Sequence, residues 1–165
     1  METIIATIQP VHLRNIRSGK KLFEIRKTLP APLKIGHPVR CLCCESGSGG
    51  QIKAEFIIEK ADVFTLQRIF ENEHGEIKPW DYINGTCVQW KFLCDYMRNR
   101  QLQPIYFWHI SNMIDYCNTK GYRVRNISEF GLKRPPQSWQ FVKEAKENGT
   151  IDESESGIWL FKAGE

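Results

Sequence analysis

The chain opens on a nearly unbroken apolar run, Thr3 to Ile8, which predicts a buried first strand. Pro10 suits the first position of a short helix to about Ser18, with Leu13 and Ile16 three residues apart on its inner face and Gly19 as the left-handed stop. Residues 22–26 predict a strand with Leu22, Glu24 and Arg26 on one face and Phe23 and Ile25 on the other. Pro30, Pro32, Gly36 and Pro38 punctuate turns, and Val39 to Cys44 predicts another strand. A Gly- and Ser-rich hairpin loop at 45–50 leads into a strand from Gln51 to Val63, where Ala54, Phe56 and Ile58 alternate with Lys53, Glu55 and Ile57. Thr65 is placed to cap a helix carrying Leu66, Ile69 and Phe70. The region 71–85 is polar and turn-rich, 86–98 predicts a helix on the spacing of Val88, Phe92 and Tyr96, and 105–110 predicts a strand. Strands mixed with separate helices, without regular alternation, predict an α+β barrel over a doubly wound sheet.

At 165 residues the chain suits one domain with a sizeable core. No apolar run approaches the ~20 residues that span a bilayer, and Met1-Glu2-Thr3 lacks a basic start with an apolar signal core. The expectation is a cytoplasmic protein without a membrane partner. The six cysteines do not require disulfides in such a chain. Cys41-x-Cys43-Cys44 lies in an apolar strand and lacks the Cys-x-x-Cys spacing of structural zinc, so no metal and no cofactor are expected, although His37 and His109 are the side chains that would complete a site in space. The Gly-rich 45–50 loop has no Gly-Lys-Ser/Thr ending and no following helix, which excludes a phosphate-binding P-loop.

Charge changes the picture by its distribution more than by its formal total of +4. Between Pro10 and Arg40 stand eight cations, Arg14, Arg17, Lys20, Lys21, Arg26, Lys27, Lys34 and Arg40, against Glu24 alone. Lys120, Arg123, Arg125, Lys133 and Arg134 surround Glu129, whereas residues 144–165 are acidic. This polarity suits a basic face meeting phosphates, or a solvated charged surface. The densest chemistry is Gly19-x-Lys21-x-x-Glu24-x-Arg26. A turn at Gly19 would fold the Lys21 ammonium over the strand face that carries Glu24 and Arg26. Such a trio is either a surface ion pair, contributing about 0–1 kcal/mol, or a site.

That spacing resembles the signature of the ASCH domain, a member of the PUA-like superfamily. Tyr106-Phe107-Trp108-His109-Ile110-Ser111, Ile127-Ser128-Glu129-Phe130-Gly131 and Pro135-Pro136-Gln137-Ser138-Trp139 are similar to the closing segments of phage- and bacterium-encoded ASCH proteins. The similar segments span residues 3 to 142. The resemblance implies a small PUA-like mixed β-barrel with flanking helices over 1–144. The charge pattern sets an acidic tail over 145–165 apart from it, whose apolar Ile158 to Phe161 segment either docks a partner or packs onto the chain's own barrel. It also implies RNA or nucleotide binding and, in some branches, hydrolysis.

Cations suit a phosphate or an electron-rich base edge, and a carboxylate suits an exocyclic amine. The candidate ligand-binding residues are Gly19, Lys21, Glu24, Arg26, Lys27, Trp108, Gln137, Ser138 and Trp139. Trp139, Trp108 and Tyr106 are stacking candidates whose alternative is core packing. Gln137 and Ser138 are recognition groups or satisfy the turn after Pro135-Pro136. The leading expectation is a nucleic-acid or nucleotide-binding domain, RNA favoured and DNA allowed. The alternative is a metal-independent hydrolase with Lys21 and Glu24 as catalytic residues. One ASCH-like branch deacetylates acetylcytidine with a lysine matching Lys21, a threonine where this chain has Glu24, and a later glutamate for which Glu71, Glu73 and Glu76 are candidates. A protein-interaction domain is the third possibility.

Overall fold

The computed structural model describes residues 1–71 and 79–143. The acidic tail, its 158–161 segment, Glu73 and Glu76 lie outside these residues. Strand β1 spans Glu2–Ile8 and buries Ile4, Ile5, Ala6 and Ile8, so both of its faces are covered, as the unbroken apolar run requires. Helix α1, Pro10–Arg17, starts on its proline and buries Leu13 and Ile16. Gly19 then takes φ of 80°, and the amides of Lys20 and Lys21 both donate to the Asn15 carbonyl. This hook turns the chain into β2, Phe23–Arg26. β3 spans Val39–Glu45 and β4 spans Gln51–Phe64. Three short helices follow, α2 (Leu66–Phe70), α3 (Pro79–Thr86) and α4 (Trp90–Tyr96). The chain then runs through β5 (Ile105–Asp115), β6 (Arg125–Asn126), a 3₁₀ turn at Ile127–Phe130 and β7 (Trp139–Val142).

The seven strands among the described residues form one mixed sheet in the order β2-β5-β4-β3-β1-β7, with β6 on β4 and the β1–β3 pair parallel. In a flat sheet the five steps from β2 to β7 would separate these edges by about 24 Å, at roughly 4.8 Å per step. Here they touch. Arg26 of β2 donates to the Thr7 carbonyl of β1 at 2.9 Å, and Trp139 Nε1 of β7 donates to Thr28 Oγ1 just beyond β2 at 2.8 Å. The sheet is therefore curled into a half-barrel, an α+β fold. Register shifts along β4, between Glu55 and Ile57 and between Ile58 and Ala61, supply local bends that curling needs. The enclosed face carries a core of Ile4, Ala6, Ile8, Leu13, Ile16, Cys41, Cys43, Phe56, Ile58 and Trp108. On the opposite face α2 to α4 cover β2 and β5 through Leu66, Ile69, Ile83, Leu93, Met97, Phe107, Phe23 and Ile25. No helix among the described residues is long and apolar enough to cross a membrane.

The differences from the sequence expectation concentrate in the helical cover. Residues 79–86 form α3 where a loop was expected, and the expected helix over 86–98 starts only at Trp90. Cys87 explains the break, because its φ of 57° ends α3 before α4 begins. Leu22 lies before the strand and is exposed, so it does not share the face of Glu24 and Arg26. Phe70 is also exposed despite its helical spacing, and β5 extends to Asp115 instead of ending at 110.

α3 sits so close to β2 that only glycine fits between them. A Cβ at Gly85 would lie 2.7 Å from Cδ2 and Cε2 of Phe23. In an open helix, Gly→Ala gains about 0.5–1 kcal/mol. Forcing the Phe23 ring aside costs about 1–3 kcal/mol, so Gly85→Ala is expected to destabilise the protein on balance. A denaturant midpoint equal to or above that of the parent protein would show that Phe23 moves without cost.

Candidate functional site

The hook at Gly19 sends Lys21 inward, and it is only 2% exposed. Its Nζ donates to the Thr86 carbonyl at the end of α3, at 2.5 Å, and stands 3.5 Å from Glu24 Oε1. Glu24 faces Trp108 across the β2–β5 ladder, which directs its side chain to the enclosed face. Its Oε2 accepts from Arg26 Nε at 3.1 Å and from the second guanidinium branch at 2.7 Å. The remaining Arg26 donors reach the Thr7 carbonyl and both the carbonyl and hydroxyl of Ser138. A guanidinium has five N–H groups, and in Arg26 each has a partner within the protein. Arg26 also lies over the Trp108 ring, 5.6 Å from its centroid.

The charges follow from burial and pairing. Burial lowers the pKa of the Lys21 ammonium, and Glu24 offsets this only in part. Burial opposes ionisation of Glu24, but Arg26 and then Lys21 outweigh it and hold the carboxyl below the usual range. Burial likewise works against the Arg26 charge, and Glu24 more than restores it. The result is a buried carboxylate held by one fully bonded cation and one loosely placed cation.

These groups form part of a cleft of about 330 Å³ at the seam where the two sheet edges meet. Lys21, Glu24, Arg26, Gln137 and Ser138 line it together with Thr7, Gln9, His12, Val88, Phe92 and Tyr96. Gly19 lies outside as the turn that aims Lys21. Lys27 is outside the lining too, with its ammonium 4.5 Å from the centroid of the Tyr96 ring. The expected aromatic wall is a correction. Trp108 is fully buried beneath Arg26, while Trp139 packs edge-on against Trp108 and Phe141 and bonds to Thr28. Neither lines the cleft, and nor does Tyr106. Its wall comes from α4, through Phe92 and Tyr96, whose rings are nearly parallel at 7° with centroids 6.5 Å apart. Their four-residue spacing with Val88 was the legible signal, read from sequence as a helix face without a destination. Nothing local marked Thr7, Gln9 or His12.

Elsewhere, the cations prove less available than their number suggests. Arg17 pairs with Asp115, Arg40 with Glu55, and Arg123 and Arg125 with Glu129, whereas Arg14, Lys20 and Lys34 are exposed. Cys41, Cys43 and Cys44 are buried in β3, and His109 Nε2 meets Asp62 Oδ2 at 2.5 Å. Among the described residues no group of three or more His, Cys, Asp or Glu side chains is placed to hold a metal ion.

No protein-family model matches the chain, and no curated protein sequence does. Solved structures do. A mutant of the ASCH protein ZmASCH from Zymomonas mobilis superposes with a TM-score of 0.64 at 14% identity, over 85% of this chain and 87% of that one. A second ZmASCH mutant gives 0.63 at 15% identity over 86% and 90%, and a further structure of ASCH from the same organism gives 0.58 at 14% over 85% and 87%. At such identities the likeness speaks for the fold: the chain is folded as an ASCH-type α+β half-barrel.

Proposed function

We propose that this chain is an ASCH-like nucleic-acid or nucleotide-binding domain, RNA favoured, that takes one nucleobase into the seam cleft. The observation that carries this reading is the buried Lys21–Glu24 pair in a 330 Å³ cleft walled by Phe92 and Tyr96. A cleft of that size suits a small ligand, the aromatic wall offers a stacking surface, and the pair offers a donor beside an acceptor. Arg26 is not assigned to the ligand, because its donors are engaged; its role is to hold Glu24 and the seam. Phosphates then fall to cations outside the lining, for which Lys27, over the Tyr96 ring of the cleft wall, and the exposed Arg14, Lys20 and Lys34 are the candidates. RNA is favoured over DNA on the motif's resemblance, and a contact to the 2′-hydroxyl is what would separate them.

Titration with single-stranded RNA and DNA tests the reading. If those four cations meet phosphates, log affinity should fall against log salt with a slope of roughly −3, at about −0.7 per contact. Absence of binding at low salt to any oligonucleotide, nucleotide or nucleoside would refute it.

A second reading, a metal-independent hydrolase of a modified nucleoside or of RNA, is favoured by one observation. Burial lowers the pKa of Lys21 beside a carboxylate 3.5 Å away, the combination by which a lysine takes up or delivers a proton. Against the deacetylase version, the position matching the hydroxyl-bearing threonine holds Glu24, and Arg26 holds one of its oxygens twice.

A further inference from the structure

Two buried side-chain polar atoms find no hydrogen-bonding partner among the described residues, Trp108 Nε1 and His12 Nδ1. Buried polar atoms are nearly always paired, so each unpaired one calls for a reason. Trp108 offers nothing to a ligand, since it is fully buried and outside the cleft lining. His12 is different. It stands in the first turn of α1, lines the cleft beside Lys21 and Glu24, and is set edge-on to Phe92 with centroids 6.3 Å apart.

The polar groups around it are largely committed. Arg26 has no N–H to spare, and Glu24 Oε2 accepts twice from it. The Lys21 ammonium has spent one N–H on the Thr86 carbonyl and directs another, at 3.5 Å, toward Glu24 Oε1. Among these charged groups one carboxylate oxygen and one ammonium N–H remain for a ligand, and the unpaired nitrogen of His12 stands with them; the Gln9 and Gln137 side chains line the same cleft. We propose that His12 Nδ1 is a specificity-determining contact to the edge of the nucleobase held in the cleft, completing a three-point reading set with Glu24 Oε1 and Lys21 Nζ. The inference rests on the nucleobase reading above and deepens it.

A donor next to an acceptor matches Glu24 Oε1 beside Lys21, and every base offers such a pair: N4–H beside N3 in cytosine, N6–H beside N1 in adenine, N3–H beside O4 in uracil and N1–H beside O6 in guanine. His12 selects among these by the third atom it meets. Burial first, and then the Lys21 cation with a smaller contribution from Arg26, lower its pKa against the opposing pull of Glu24. The ring is therefore neutral at pH 7 and carries one donor and one acceptor.

The test is calorimetric titration of the full chain with cytidine, uridine, adenosine and guanosine. His12→Phe keeps the ring and its edge contact with Phe92 but removes both nitrogens. His12→Asn returns a polar atom near the Nδ1 position, and His12→Gln returns one near Nε2. The expected result is that His12→Phe narrows the affinity gap between the preferred nucleoside and the others by about 10-fold, the scale of one hydrogen bond. His12→Asn should restore part of the gap and His12→Gln should not. Equal losses for all four nucleosides, or no change in their ranking, would overturn the inference and make His12 a packing residue. If Lys21→Met abolishes binding while His12→Phe leaves the ranking intact, the cleft reading stands and the His12 role falls. Wild-type protein that binds none of the four nucleosides removes the inference, and failure of nucleotides and oligonucleotides as well removes the reading beneath it.

Discussion

Replacing Arg26 with Met is expected to lower the free energy of unfolding by about 3–5 kcal/mol, the range for stripping one partner from a buried ion pair. Methionine keeps much of the apolar stem over Trp108, so the loss isolates the guanidinium. Glu24, 6% exposed, would then keep only the Lys21 contact at 3.5 Å, and the Thr7 and Ser138 carbonyls would lose their donor across the seam. Arg26→Lys should rescue little, because a single ammonium cannot make five bonds in two directions. Chemical denaturation at neutral pH measures both. A loss below about 1 kcal/mol for Arg26→Met would mean that solvent reaches Glu24 and that the guanidinium is not what holds the edges together.

The largest functional effect is expected from Lys21→Met, a fall in nucleoside affinity of about 100-fold if the ammonium and the oriented Glu24 oxygen both serve the ligand. Stability should change far less. Burial penalises the Lys21 charge, so its removal relieves a cost, while the Thr86 carbonyl loses a partner. The two effects oppose each other and leave a net change within about 2 kcal/mol. Linkage gives an independent check. Because the folded-state pKa of Lys21 lies below the ordinary lysine value of about 10.5, the unfolded chain binds more protons between the two values, and stability rises with pH through that window. The Met variant should lack that rise.

The same variant separates binding from catalysis. Release of acetate from acetylated cytidines and cleavage of labelled RNA are followed with a chelator present. A binding domain shows no turnover in either assay. Metal-free turnover that drops by roughly 100-fold or more in Lys21→Met would instead establish the hydrolase.

Much of the local architecture was legible because it depends on neighbours in the chain. The Thr65 side chain accepts the Arg68 amide at 3.1 Å, as its place before an apolar helix predicts. Gly19 takes the left-handed turn, and the alternation along 23–26 sends Glu24 and Arg26 to one side and Phe23 and Ile25 to the other. The short closing elements were not legible. β6 has two residues, and the 3₁₀ turn after it is set by reciprocal bonds between Asn126 and Glu129 instead of by a hydrophobic period.

By itself, then, the sequence determined strands β1 to β5, the hook that buries Lys21 and the convergence of three charges on one face, all consequences of backbone sterics and side-chain alternation over a few residues. The tertiary structure decided what those charges do. Whether Arg26 meets a ligand or the protein depends on a sheet curled until β2 reaches β1 and the segment before β7, which brings Ser138 to a residue 112 positions earlier. The same closure placed Phe92 and Tyr96 on the cleft wall, buried Trp108 and left His12 Nδ1 unpaired beside Glu24 and Lys21. Alternation states which side of a strand a residue occupies, but curvature and long-range packing set which side is enclosed and what stands across it.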